Sequence, residues 1–166
     1  MKTRTSIIAL FLLLFSLGSY AQKSGLSDIF FYEQLSKKKE ISTITISKAM
    51  IEAFPDALEV LALDVKSLAD KLDQVEIYRT EREEYALTMK EVLRNYFLRR
   101  TNYETIMSMT RKDKSSTAIH AEMDKDKIIT SLVMVVEGES KSHYILVRLK
   151  GRFQMKDIQG IIRNLM

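Results

Sequence analysis

The feature that most constrains this chain is a series of four short alternating stretches in its second half, each bounded by polar turns. They span residues 103–110, 116–123, 128–136 and 144–149. Apolar residues at every second position are typical of a β-strand with one buried face. The third stretch is apolar on both of its alternating faces, which predicts a central strand. The short polar turns between consecutive strands predict an antiparallel meander.

Two strand–helix units precede the predicted meander. The first is an alternating, β-branched strand, 41–46, followed by a helix that Ser47 can cap. The second is strand 74–79, followed by a long amphipathic helix whose start, 80–83, has the spacing of a capping box. The apolar stripe of that helix predicts its buried side and comprises Tyr85, Met89, Val92, Leu93, Tyr96 and Phe97.

The whole pattern predicts an α+β fold. Helical spacing adds a helix within 57–72 and a final helix after Gly151, where we expect the last strand to end. We predict a single mixed, largely antiparallel sheet with helices mainly on one face. Residues 41–166 are expected to form this one domain, preceded by an N-terminal segment, 22–40, with a short helix. A chain of this length buries roughly 70% of its unfolded surface, so it can fold without cross-links.

The N-terminus has the three parts of a secretory signal peptide. Lys2 and Arg4 form a basic start, residues 7–17 are almost entirely apolar, and Ala21 ends a small–x–small exit. The apolar run is shorter than the about 20 residues that a membrane span requires. We therefore predict that residues 1–21 are a signal peptide cleaved between Ala21 and Gln22. The mature protein is expected to be exported, periplasmic or secreted, and to contain no transmembrane span.

Composition excludes several classes of function. The chain has no cysteine, which excludes disulfides, thiolate zinc sites and cysteine nucleophiles. The excess of positive charge is small and is partly due to the leader, so we expect no nucleic-acid binding. The remaining basic clusters are short and permit weak contact with an anionic surface such as lipid headgroups; they lie at Lys37–Lys39, Arg99–Arg100 and Arg111–Lys114.

No pattern of catalytic or metal-binding residues stands out. The chain has two histidines, His120 and His143, and we expect their strands to lie on either side of the 128–136 strand rather than in contact. The acidic residues at the start of the long helix are explained by the helix dipole. Glu122 and Asp124 are the best placed carboxylates for an acid–base site, although nothing in their spacing requires one. We expect no catalytic residue, no cofactor and no metal.

Four segments carry a resemblance to a known family. They are Thr43-Ile-Thr-Ile-Ser-Lys48, Gln74-Val-Glu-Ile-Tyr78, Tyr103-Glu104 and Tyr144-Ile-Leu-Val-Arg-Leu-Lys-Gly151, and the resemblance covers nearly all of the chain after the leader. In this order they resemble the domain of unknown function 4252 family, small exported proteins of Gram-negative bacteria. The resemblance implies an exported α+β domain and implies no particular activity.

Three functions are consistent with these observations. The first is a non-enzymatic module of the cell envelope that binds a protein partner or an apolar ligand, the latter in a pocket lined by methionines. The second is a small carboxylate-dependent hydrolase, and the third is a peripheral protein that binds anionic lipid. We expect the first, because it requires no catalytic residues.

Overall fold

Six antiparallel strands form one sheet in the computed structural model of the chain, which describes residues 30–56, 58 and 66–165. In chain order the strands are β1 (Ser42–Ser47), β2 (Leu72–Thr80), β3 (Tyr103–Thr110), β4 (Ser116–Met123), β5 (Ile129–Glu137) and β6 (Tyr144–Phe153). Across the sheet they lie in the order β1-β2-β6-β5-β4-β3. The predicted meander is confirmed, and β5 is central, as expected.

Every ladder between the described strands is antiparallel, so the prediction of a mixed sheet was wrong. The reason is the position of β6. This last strand of the meander lies beside β2 and runs in the opposite direction, while β1 pairs antiparallel with the other side of β2. The two strand–helix units therefore extend the meander instead of adding a parallel pair.

Helices cover both faces of the sheet, whereas the sequence predicted helices mainly on one face. The helices are α1 (Phe30–Leu35), α2 (Lys48–Ala53), α3 (Glu83–Leu98) and α4 (Gln159–Leu165), with two 3₁₀ helices at Lys66–Lys71 and Met155–Ile158. Residues of α1 and α3 pack on one face, here called the α3 face. Residues of α2, α4 and the 3₁₀ helices pack on the other, the α2 face. The inner strands present buried residues to both faces, and each face needs its own cover.

Two hydrophobic cores follow from this arrangement. The larger one lies on the α2 face, where Ile51 of α2 and Ile161 of α4 meet residues of β2, β5 and β6 such as Val75, Met134 and Leu149. The one on the α3 face is richer in aromatic side chains and comprises Phe31, Leu35, Ile41, Tyr78, Ala86, Met89, Leu93, Tyr96, Val133, Tyr144 and Leu146. Two of its members, Phe31 and Leu35, come from the predicted N-terminal segment 22–40, which thus contributes to the core of the domain.

Some local elements differ from the sequence prediction. The long helix begins at Glu83 with Arg82 at its N-cap, and the Thr80 hydroxyl accepts from the Arg82 N–H at 3.2 Å, so the predicted capping box does not form. The described part of the predicted 57–72 helix includes a 3₁₀ helix, Lys66–Lys71, that leads directly into β2. Strand β6 continues to Phe153 and does not end at Gly151.

Gly151 permits this extension because the carbonyl group of Lys71 lies against it. A Cβ built on Gly151 would lie 2.1 Å from the Lys71 oxygen, a contact that no side chain can make. The backbone of the first 3₁₀ helix therefore approaches β6 at a position where only a hydrogen atom fits.

The predicted leader, with its cleavage site between Ala21 and Gln22, lies outside the described residues. Within the part of the chain that the structure does describe, no helix has both the length and the apolar character to cross a membrane.

Candidate functional site

A group of buried polar side chains lies on the α3 face and is centred on Arg148. Arg148 of β6 and Glu76 of β2 are direct neighbours in the antiparallel ladder, so both side chains project to the same face. Arg148 Nη1 lies 3.8 Å from Glu76 Oε2, and the two side chains are 1% and 2% exposed. The Tyr78 hydroxyl donates to the same Glu76 oxygen at 3.1 Å. The result is a buried ion pair with an additional hydrogen bond to its carboxylate.

Two aromatic rings cover the guanidinium group of Arg148. Its central carbon lies 5.7 Å from the ring centre of Phe31, on α1, and 5.6 Å from that of Tyr96, on α3. The two rings are themselves 4.4 Å apart, centre to centre. A cation over an aromatic face is stabilised by the ring quadrupole, more strongly where water is absent. The contacts therefore tie both helices to the charged pair.

Hydroxyl groups extend this cluster toward β5 and β3. Arg148 Nε donates to Ser131 Oγ at 3.3 Å, and the Tyr96 and Tyr103 hydroxyls lie 2.9 Å apart. Tyr103 also hydrogen-bonds Ser131. Burial raises the pKa of both tyrosines above the ordinary value, so they stay protonated at neutral pH. Neither tyrosine is suited to act as a general base.

The predicted carboxylate Glu122 lies at the margin of this cluster, where one of its oxygens accepts two hydrogen bonds. Its Oε1 accepts from Arg100 Nη1 at 2.7 Å and from Asn102 Nδ2 at 3.0 Å. The Arg100 guanidinium also lies 4.7 Å from the Tyr96 ring centre. These contacts indicate a structural role in which Glu122 fastens the end of α3 to β4.

The two histidines lie on either side of β5, as predicted from the order of the strands. His120, on β4, has its Nδ1 2.9 Å from the Thr105 hydroxyl and its ring 4.5 Å from that of Phe97, centre to centre. Burial lowers the pKa of His120 and favours the neutral imidazole. His143 lies in the turn before β6, where its backbone pairs with Gly138. The structure thus places His120 near the polar cluster and His143 elsewhere.

Asp124 does not join Glu122 in a site. Its Oδ1 accepts from the backbone N–H groups of Asp126 and Ile128 at 2.9 and 3.0 Å, which shapes the turn between β4 and β5. Among residues 30–56, 58 and 66–165, no three histidine, aspartate or glutamate side chains are close enough to hold a metal ion. The buried methionines divide between the two cores, Met89 on the α3 face and Met134 on the α2 face, instead of lining one pocket.

Sequence reasoning did not single out Arg148 and Glu76. Each is a charged residue with an apolar residue on both sides in the chain, within two of the segments that carry the family resemblance. That is the one signal that could have drawn attention to them. The sequence could not show that they are neighbours, because this depends on β6 lying beside β2.

A second feature of note is the outer edge of β1, together with the apolar side chains beside it. No described strand pairs with this edge. Ile44 of β1 lies on the α2 face, and Met50 and Phe54 lie on and just after α2; all three are exposed, Phe54 by 62%. The Thr43 hydroxyl on the same strand is buried and has no hydrogen-bond partner among the residues that the structure describes. We call β1 with Ile44, Met50 and Phe54 the β1 edge surface.

The strand order and the helices on both faces of the sheet define the class of protein. It is an α+β domain with one antiparallel six-stranded sheet between two layers of helices. The family described as domain of unknown function (DUF4252) matches residues 32–161, which is most of the chain. The chain belongs to this family, and the predicted resemblance is confirmed. No curated protein and no solved structure matches it.

Proposed function

We propose that this chain is an exported, non-catalytic binding module that accepts an extended segment of an envelope protein along the outer edge of β1. The observation that carries the proposal is that no described strand pairs with the outer edge of β1, where Ile44 is exposed. A partner strand would hydrogen-bond the backbone groups along this edge, which is a common mode of peptide recognition.

The first support is the contrast between the two edge strands. Natural sheets protect their edges with charges, prolines or bulges. Strand β3 has such protection, since its pairing with β4 shifts register between Thr105 and Met107, and it contains Glu104. Strand β1, Ser42–Ser47, has no charge, no proline and no register shift against β2. It is therefore the edge better suited to accept another strand.

The second support is the apolar surface next to that edge. Side chains of an added strand that face the α2 side would pack on Ile44 and remove its apolar area from water, and α2, which covers this face, adds the exposed Met50 and is followed by the exposed Phe54. On the opposite face, the exposed Thr45 hydroxyl offers a hydrogen bond to a hydroxyl side chain of the partner. The occupant that fits is an uncharged segment that alternates apolar and hydroxyl residues.

The buried state of the polar cluster supports a non-catalytic role. Arg148 and Glu76 lie beneath α1 and α3 with almost no exposed surface, so a substrate has no route to them. Glu122, the carboxylate favoured for a hydrolase, is held by Arg100 and Asn102. Export rests on the predicted leader, residues 1–21, and on nothing in the fold.

Site-specific photo-crosslinking in intact cells tests the proposal. A photoreactive amino acid is placed at Thr45 of β1 and, as a matched control, at Ser108 of β3; both replace exposed hydroxyl residues on the same sheet face. We expect a discrete covalent adduct from position 45 alone. Mass spectrometry of the adduct then identifies the captured segment.

The captured segment is next synthesised and its affinity is measured by fluorescence anisotropy. Ile44→Lys places a charge on the docking edge and should weaken binding by ~10-fold or more, whereas Ser108→Lys should change it by less than ~2-fold. Thermal unfolding of both variants checks that they fold. Equal crosslinking at both edges, or peptide binding that Ile44→Lys leaves unchanged, would refute the proposal.

A further inference from the structure

The outer side of α3 carries a pattern that packing against the sheet does not explain. Leu87, Glu91, Arg94 and Leu98 recur at spacings of four, three and four residues, so they form one stripe along the helix. All four point away from the core, and the two leucines are 59% and 77% exposed. We call these four residues the outer α3 stripe. The buried residues of α3 lie on its other side.

The outer α3 stripe reads leucine, acidic, basic, leucine in one direction and leucine, basic, acidic, leucine in the other. It is therefore complementary to a reversed copy of itself. Leu87 and Leu98 are equally distant from the midpoint between Val92 and Leu93, and so are Glu91 and Arg94. A second α3 that runs antiparallel across the first would place each leucine against the other leucine. It would also place each Glu91 against an Arg94. A two-fold axis generates this arrangement, because an isologous interface uses one patch twice.

We infer that the outer α3 stripe is an interface between two copies of this chain, with their α3 helices antiparallel. The spacings of four and three are those of the a and d positions in a coiled-coil seam. The helices would cross at about 20° and meet over about 16 Å between the leucine layers. This surface is distinct from the β1 edge surface, so the inference does not depend on the proposed function.

Charge decides between the two possible helix directions. In a parallel pair, Glu91 would meet Glu91 and Arg94 would meet Arg94, and both contacts are repulsive. In the antiparallel pair, four charges of alternating sign surround the two-fold axis. Lys90, which lies next to Glu91 in the chain, already pairs with Glu137 of its own chain. Within the described part of the chain, Glu91 and Arg94 form no ion pair with any other residue.

The outer α3 stripe borders a hollow in the protein surface. This open cavity has a volume of about 360 Å³, and the described residues that line it are Leu87, Lys90, Glu91 and Arg94. One helix pair buries less than the about 1,200 Å² of a standard interface, so the dimer is expected to be weak. We expect half of the chains to be in dimers at a total protein concentration of about 10–1,000 µM.

Sedimentation equilibrium of the chain, purified as the expressing cell processes it, tests the inference by charge exchange. Glu91→Arg and Arg94→Glu each create like charges at the axis and should weaken dimerisation by ~10-fold or more. The double variant Glu91→Arg/Arg94→Glu restores opposite charges and should return the dissociation constant to within ~3-fold of the original. A merely structural role for either residue predicts no such rescue.

Cross-linking gives a second, independent measurement, since the natural chain has no cysteine. A mixture of the Leu87→Cys and Leu98→Cys variants should form a disulfide-linked dimer on mild oxidation. Each variant alone should remain uncrosslinked, because like positions would lie about 16 Å apart across the axis.

Three results would overturn the inference. One is a molecular mass that stays monomeric up to ~1 mM. Another is a dimer that Arg94→Glu leaves intact and Ile44→Lys abolishes, which would place the contact on the β1 edge. The third is a disulfide that forms as readily with Leu87→Cys alone as with the mixture.

Discussion

Single residues on β6 show how position in the sheet sets the limits on side-chain chemistry. Arg148 is buried because Glu76, Ser131 and two aromatic rings meet its guanidinium group. Three positions further along, Gly151 faces a backbone carbonyl and tolerates no side chain. Arg152 is largely exposed and pairs with Asp124 at 3.5 Å. Within five residues of one strand, one position thus holds a buried cation, one has room for no side chain, and one holds a solvated cation.

At the residue scale we predict that Gly151→Ala destabilises the protein. The added methyl group would overlap the Lys71 carbonyl, and moving the 3₁₀ helix backbone away should lower the free energy of unfolding by about 1–3 kcal/mol. Gly160→Ala is the matched control, since a Cβ there meets nothing within 4 Å on helix α4. That variant should gain about 0.5–1 kcal/mol. Urea unfolding measures both, and equal effects of the two substitutions would contradict the assignment of Gly151.

At the element scale, the polar cluster joins parts of the fold that are distant in sequence. The ion pair spans β2 and β6, while Phe31 and Tyr96 bring α1 and α3 onto it. Buried ion pairs are a weak source of net stability, because desolvation offsets the attraction between the charges. Removing only one partner of such a pair is costly, because the other charge then remains buried without a counter-charge. The cluster therefore fixes how the elements are placed more than it adds free energy.

This view predicts coupling between Arg148 and Glu76. Arg148→Met should lower the free energy of unfolding by about 3–5 kcal/mol, and so should Glu76→Gln, while the double variant should lose clearly less than the sum. Arg152→Met, at an exposed position near the end of the same strand, should change it by less than ~0.5 kcal/mol. Denaturant unfolding of the four variants gives the coupling energy. Strict additivity would show that the two side chains do not act as a pair.

At the scale of the whole molecule, one sheet carries two independent cores and two surfaces available for contact. The outer α3 stripe faces away from the sheet, and the β1 edge surface lies at its margin. A two-fold dimer through α3 would leave both β1 edges free. Such an assembly would present two docking edges, which raises the effective affinity for a partner with repeated segments.

The predicted leader, residues 1–21, concerns the whole chain, and its removal can be tested directly. We expect the protein isolated from outside the cytoplasm to begin at Gln22, as measured by intact mass and N-terminal sequencing. Ala21→Arg places a large charged side chain at the cleavage position and should leave the leader attached, whereas Tyr20→Phe should be cleaved normally. Exported material that still begins with Met1 would refute the signal-peptide assignment.

The sequence determined most of the elements by itself. The period of two in residues 103–149 identified the four meander strands, and the period of 3.6 identified the buried side of α3, including Met89, Leu93 and Tyr96. Both patterns record which side chains are buried along one element. Neither pattern shows which other elements of the fold pack against those side chains.

Tertiary structure decided the features on which function depends. Placing β6 beside β2 made Arg148 and Glu76 neighbours and brought Lys71 against Gly151, and it left the outer edge of β1 without a neighbour among the described strands. Packing of α3 on one face and α2 on the other exposed Leu87 and Leu98, whose surroundings the helical period alone could not reveal. The physical reason is that local periodicity depends on neighbours along the chain, whereas partners across a sheet depend on strand order.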